Sequence, residues 1–349
     1  MCSLVVGALV AVLLITSTTT AQAQTLPAQF AENAVATNIQ NPVGMEIADD
    51  GRLFVIAGNV RRIEIYDDNG YVNEFLRLEQ AYRLGSGLLG LEFAPDFATS
   101  GDVFVAYITN TDFVSGPQRF RLSKFSSDGT TADPASEVVL FEVDDINPEQ
   151  PLHQGGDIGI GADGKLYWAL GDRVRGSSVA QPFDTHFGKL LRLNLDGTIP
   201  TDNVNYDSFS GDLRAVIANG LRNPFRMESR PSTGELFISD VGRLTWEELN
   251  RAEQGANYGW PVVEGIVNDP LFTDPTFAYN HSPDGCAITG GAFYEPAVTQ
   301  FPSEFHGDFF YGDHCFGWIA HFDPVTGTDT RFLSGANRLV EIKINPQTG

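Results

Sequence analysis

Apolar and polar positions alternate with a period of two along most of the chain, and almost no stretch carries the 3.6-residue period of an amphipathic helix, so strands should dominate. One unit recurs: an alternating run, a tight turn built on Asp, Gly or Thr-Gly, then a second alternating run. It starts at Gly44 (GMEIADDGRLFVIAG), Gly90 (GLEFAPDFATSGDVFVAYI) and Gly156 (GDIGIGADGKLYWALGD). More divergent copies start at Pro224 (PFRMESRPSTGELFISDVG), Gly290 (GGAFYEP, then FHGDFFYGDHC) and Leu339 (LVEIKINPQTG), with further strands at Arg61 to Tyr66, Phe120 to Phe125 and Lys189 to Leu195. A spacing of roughly 45–65 residues, with about four short strands per unit, is that of propeller blades. The fold class is therefore all-β, a six-bladed β-propeller. Its last blade is incomplete at the C-terminus, because the turn at Pro346 to Gly349 is followed by no partner strand; Phe30 to Asn38 is a candidate for closing it.

The N-terminus changes the reading of the cysteines. Met1 to Thr20 holds no charge, carries an apolar run from Leu4 to Ile15, and leads to Ala21, Gln22 and Ala23. That run is too short to span a membrane and the small-residue pattern suits a signal peptidase, although no basic residue lies near Met1. The organisation is then a signal peptide at 1–23, a lead-in at 24–40 and a propeller at 41–349, exported to a periplasmic or extracellular space with no membrane span in the mature protein. Removal of Cys2 leaves Cys286 and Cys315, an even pair that predicts one disulfide in an oxidising compartment. A net charge of −23 disfavours nucleic acid and anionic membrane surfaces as partners.

Polar and charged groups concentrate at strand ends in four segments: His153 to Asp172 (HQGGDIGIGADGKLYWALGD), Asn219 to Arg226 (NGLRNPFR), Ser239 to Asn250 (SDVGRLTWEELN) with Asn257 to Pro261 (NYGWP), and Gly312 to Cys315 (GDHC). In this order, together with GLLGLEFAPDF at Gly87 to Phe97, they resemble the glucose/sorbosone dehydrogenase family. That family includes the soluble pyrroloquinoline quinone (PQQ) sugar dehydrogenases and the aldose sugar dehydrogenases. The cysteines around TGGAFY and GDHC resemble its hedgehog-interacting-protein-like branch. The similarity runs from about Asn41 to the C-terminus.

The resemblance implies PQQ- and Ca²⁺-dependent oxidation of an aldose at C1 to the lactone, with electrons passed to an external acceptor. His153 falls on the general base, a role that suits a group titrating near neutrality. Arg222 and Asn223 fall on the pair that contacts the quinone oxygens, and Arg338 and Asp172 are further candidates around the cofactor. Asp172 reads equally as a residue that orients His153 or caps a turn. Calcium would be held by the carbonyls of Gly242 and Arg243, with Glu247 near it, and a second, structural calcium by Glu248 and the carbonyl of Tyr258. Arg226 reads as readily as a blade-to-blade ion pair.

The chain departs from the pattern in four places. The glutamine before GLLG is absent around Gly85 and Ser86, and Leu152 stands where the glucose enzymes have aspartate. His314 lies where a lysine is expected, and Val340 where a second arginine is expected. PQQ carries three carboxylates, so two missing cations weaken its binding. A non-catalytic secreted propeller that binds a protein or glycan is the alternative reading.

Overall fold

The computed structural model describes residues 10–14, 25–81, 87–110, 117–145, 152–336, 338–346 and 348–349. Strand β1 (Val10–Leu14) stands apart at the start. Blade one is β2 (Pro42–Ile47), β3 (Leu53–Ala57), β4 (Arg62–Asp67) and β5 (Gly70–Arg77); blade two is β6 (Leu88–Phe93), β7 (Asp102–Asn110), β8 (Gln118–Ser126) and β9 (Val138–Asp145). Blade three is β10 (Gly155–Ile160), β11 (Leu166–Leu170), β12 (Lys189–Leu193) and β13 (Val216–Asn219), and blade four is β14 (Pro224–Ser229), β15 (Leu236–Asp240), β16 (Trp246–Arg251) and β17 (Phe277–Asn280). Blade five is β18 (Ile288–Phe293), β19 (Phe309–Asp313), β20 (Trp318–Asp323) and β21 (Thr328–Ser334), and β22 (Leu339–Ile344) follows it.

Each blade is a four-stranded antiparallel sheet in sequence order, so the described residues form an all-β propeller with five four-stranded blades. The first strand of each blade packs on the first strand of the next, and β22 lies against both β18 and β2, which closes the ring. The six repeat starts read from the sequence fall on β2, β6, β10, β14, β18 and β22, the strands that line the axis. Among the described residues β22 carries no three-strand extension; it pairs with β1, with Val10 opposite Ile344 and Leu14 opposite Leu339. Phe30 to Asn38 forms no strand. Phe30 instead sets its ring edge-on against Phe301 and Phe332 at 4.7 and 4.8 Å on the flank of blade five. The remainder of the 1–23 segment, apart from β1, lies outside the described residues, as do Gly85 and Ser86. Among the described residues no helix is long and apolar enough to cross a membrane.

Alternation puts an apolar face on both sides of every blade, and six apolar cores fill the contacts around the ring. The axis itself is charged. Lys343 on β22 pairs with Glu46 on β2 at 2.5 Å and with Glu228 on β14 at 2.7 Å. Glu341 accepts the amide of Met45 at 2.6 Å and approaches Nε of Arg226 at 3.3 Å; Asp157 accepts the amide of Met227 at 2.7 Å. Arg226 is thus a blade-to-blade ion pair, as one of its two readings had it. It runs so close to blade five that a Cβ at Gly290 (φ +89°) would lie 2.6 Å from its Cβ. Burial raises Glu92 to about 8 and Asp157 to about 6, with Lys343 and Arg226 respectively opposing the shift.

The axial strands begin at one end of the ring. Residues just before them, and the turns joining the second and third strands, form the mouth at that end.

Candidate functional site

His153 lies two residues before β10, in left-handed backbone (φ 48°), and Arg173 and Val174 on the loop after β11 share that conformation (φ 54° and 62°). Three non-glycine residues held there in contact mark a strained, over-determined corner. The carbonyl of His153 accepts the Arg173 amide at 3.2 Å, and Gly171 must be glycine because a Cβ would fall 2.1 Å from that same carbonyl oxygen. Arg173, 1% exposed, grips Asp145 at 2.9 Å and the carbonyl of Leu152 at 3.1 Å, fixing the residue before His153.

The His153 ring donates from Nδ1 to Asp172 Oδ1 at 2.6 Å. Asp172 is 1% exposed and both of its oxygens are engaged: Oδ1 also accepts the Val174 amide, and Oδ2 accepts the Trp260 indole at 2.8 Å and the Gly176 amide at 3.1 Å. It therefore stands behind His153, not at a ligand. Burial pushes the Asp172 carboxyl up, but His153, Trp260 and the Val174 amide outweigh that and hold it below its ordinary value, so it stays an acceptor. Nδ1 then keeps its proton and Nε2, without a hydrogen bond among the described residues, is left as the basic nitrogen.

Arg222 and Asn223 immediately precede β14 and lie against this corner. The Arg222 carbonyl accepts the Asp172 amide at 2.8 Å, and Asn223 Oδ1 faces the Gly155 amide at 3.4 Å. The Arg222 guanidinium donates to the Val241 carbonyl at 2.7 Å and sits 5.3 Å from the centre of the Trp260 ring, with its buried Nε unpartnered among the described residues. Beneath the pair, Asp240 accepts both their amides, at 2.9 and 2.6 Å; burial raises this carboxyl to about 8.

The next turn carries Gly242 and Arg243. A Cβ at Gly242 would fall 1.6 Å from the Trp246 carbonyl oxygen, so only glycine fits. Both amides are held from behind, Gly242 by Glu247 at 3.2 Å and Arg243 by Glu264 at 2.6 Å, while neither carbonyl accepts a hydrogen bond among the described residues. Two free hard oxygens backed by carboxylates suit Ca²⁺. Glu247, fully buried, also accepts the Ile288 amide at 2.9 Å and meets His281 Nε2 at 2.5 Å; burial raises it to about 9 and lowers His281. The second calcium pair is not brought together in the same way: Glu248 accepts the Gly265 amide at 2.6 Å and the Asn250 amide group at 3.2 Å, which engages both its oxygens.

The rim on blade five is tied by a disulfide between Cys286 and Cys315, with Cα atoms 6.1 Å apart. Asp313 beside it accepts the amides of Cys286, Ala287, Cys315 and Phe316 and the Tyr279 hydroxyl. His314, half-buried, donates from Nδ1 to the Leu339 carbonyl at 2.7 Å, and Arg338 (φ 49°) is exposed. Val340, where the resemblance expects a second arginine, is buried against Met45, Leu53, Val55 and Tyr66.

Sequence reasoning missed Asp240, His281 and the indole of Trp260 as partners in this arrangement. The repeated Asp at the ends of LYWALGD, LFISD and FFYGD was a signal for the first. A lone histidine in NHSPDG offered none for the second.

The glucose/sorbosone dehydrogenase profile matches residues 39–346. Quinoprotein glucose dehydrogenase B of Acinetobacter calcoaceticus is 26% identical over 299 residues, covering 76% of this chain and 61% of that protein. Aldose sugar dehydrogenase YliI of Escherichia coli is 30% identical over 234 residues, 62% of this chain and 59% of its own. The chain thus spans about three-fifths of these curated relatives. The PQQ-bound aldose sugar dehydrogenase of Streptomyces coelicolor shares the fold, with a TM-score of 0.72 at 22% identity over 94% of this chain and 93% of that one. Fold, ordered motifs and profile agree, and the chain belongs to the glucose/sorbosone dehydrogenase family.

Proposed function

We propose that this protein oxidises an aldose at C1 to the lactone at the mouth formed by blades three, four and five, using PQQ and Ca²⁺ and passing electrons to an external acceptor. The observation that carries the reading is His153, whose Nε2 is presented as a base by Asp172 directly beside Arg222 and Asn223. PQQ, when bound, supplies the two-electron acceptor that the oxidation requires. Arg222, with its unpartnered Nε, and the exposed Arg338 would hold its anionic groups, and Asn223 would add an amide donor. The carbonyls of Gly242 and Arg243 would hold Ca²⁺; Glu248 and the Tyr258 carbonyl are the weaker candidate for a second ion. His153 takes the C1 hydroxyl proton on Nε2, and Asp172 stabilises the imidazolium that results. We further read β22 as the start of a sixth, incomplete blade, and the chain as exported with residues 1–23 removed.

The test is absorbance titration with PQQ in the presence and absence of Ca²⁺. The reading predicts saturable, calcium-enhanced binding that Arg222→Ala weakens at least tenfold. No binding would favour the alternative, a secreted propeller that binds a protein or glycan, for which His314 and Val340 in place of two cations are the supporting observation.

A further inference from the structure

One device recurs at the mouth in three consecutive blades. The second strand of each ends in an aspartate: Asp172 two residues past β11, Asp240 at the end of β15, and Asp313 at the end of β19. Each grips the residues just before the axial strand of its own blade. In blade three Asp172 holds the His153 ring at 2.6 Å. In blade four Asp240 Oδ2 accepts the Arg222 amide at 2.9 Å and Oδ1 the Asn223 amide at 2.6 Å. In blade five Asp313 accepts the Cys286 and Ala287 amides at 2.8 and 3.0 Å. The device therefore presents three different groups to one mouth from equivalent places in the repeat: an imidazole, a guanidinium with an amide, and a cystine.

We propose that Asp240 is the positioning residue for Arg222 and Asn223, as Asp172 is for His153. The inference rests on the reading of Arg222 and Asn223 as cofactor contacts. Asp240 is 4% exposed, so it acts through the pair it holds. Two amides one residue apart both point at it, and the two carboxylate oxygens divide them. This fixes the Arg222–Asn223 peptide, and with it the directions in which the two side chains leave the backbone. Among the described residues, the Arg222 side chain is then held by the Val241 carbonyl and the Trp260 face. Two oxygens facing two donors are required, because an amide offers one acceptor oxygen and sets an NH₂ against the other donor.

The experiment compares wild type with Asp240→Asn and Asp240→Glu by hydrogen exchange without ligand and by PQQ titration with Ca²⁺. Exchange at the Arg222 and Asn223 amides should quicken at least tenfold in Asp240→Asn, with the amides of β3 unchanged, and PQQ affinity should fall at least tenfold. Adding Asp240→Asn to the double variant Arg222→Ala, Asn223→Ala should cost no further affinity, whereas a merely structural role would give additive losses. Unchanged exchange, additive losses, or wild-type affinity in Asp240→Asn would each overturn the proposal. Should Asp240→Asn not fold, Asp240→Ala, which removes both acceptors, carries the same exchange and titration tests, and Asp240→Glu, which keeps both, should restore protection of the two amides at least in part; no restoration relative to Asp240→Ala would overturn the proposal. If wild type itself binds no PQQ, the functional reading fails, and the exchange measurement still decides whether Asp240 pins the pair.

Discussion

At the residue scale the site is a set of side chains each held by a partner from a different loop. His153 is aimed by Asp172, Asp172 is anchored by Trp260, and Trp260 lies under Arg222. A buried carboxylate that fixes a tautomer matters more for rate than for binding. His153→Ala should therefore lower turnover by about 10²–10⁴-fold, and Asp172→Asn should lower kcat with little change in PQQ affinity; equal loss in affinity and turnover would contradict the assignment. His153, Arg222 and Asn223 were legible because each sits inside a contiguous motif. The His281–Glu247 contact was not, because it joins residues 34 apart through a loop whose path no local pattern encodes. For Asp172 the sequence left two roles open, orienting His153 or capping a turn, and its four hydrogen bonds show that it does both.

At the element scale the repeat was readable because each copy pairs an alternating axial strand with a tight turn, and all six starts proved to be axial strands. The closing strand was not readable. Val10–Leu14 has the composition of a leader, and nothing in it announces a partner at β22. Export with removal of residues 1–23 would deprive β22 of β1. Mass spectrometry of the secreted protein should find Gln24 as the first residue, and retention of Val10–Leu14 would contradict the leader. The disulfide closes a separation of 29 residues across the rim. Cys286→Ser should lower unfolding free energy by about 3 kcal/mol, read as a shift in denaturant midpoint; an unchanged midpoint would show that Asp313 alone holds the rim.

For the whole molecule, the ring closes over a charged axis in which Lys343 faces Glu46 and Glu228, with Glu341 at 4.0 Å. Carboxylates therefore outnumber the local cations, and burial favours their neutral form. Glu92, raised to about 8, binds its proton more tightly folded than unfolded. Its stabilising contribution is complete below its unfolded value and is lost as pH rises through about 8, so stability should decline from pH 5 to pH 8.5. Glu92→Gln should flatten that slope and melt later than wild type at pH 8.5; a steeper slope would refute it. Such a network was invisible in the sequence, where its members are spread from Glu46 to Lys343 and look like ordinary strand polar positions. The claim on which the account rests is tested most directly by dye-linked aldose oxidation, with and without added PQQ and Ca²⁺, comparing wild type with His153→Ala. Wild type should oxidise the aldose only when both are added, and His153→Ala should not oxidise it at all; no oxidation by wild type under full loading, or full activity in His153→Ala, would contradict the dehydrogenase assignment.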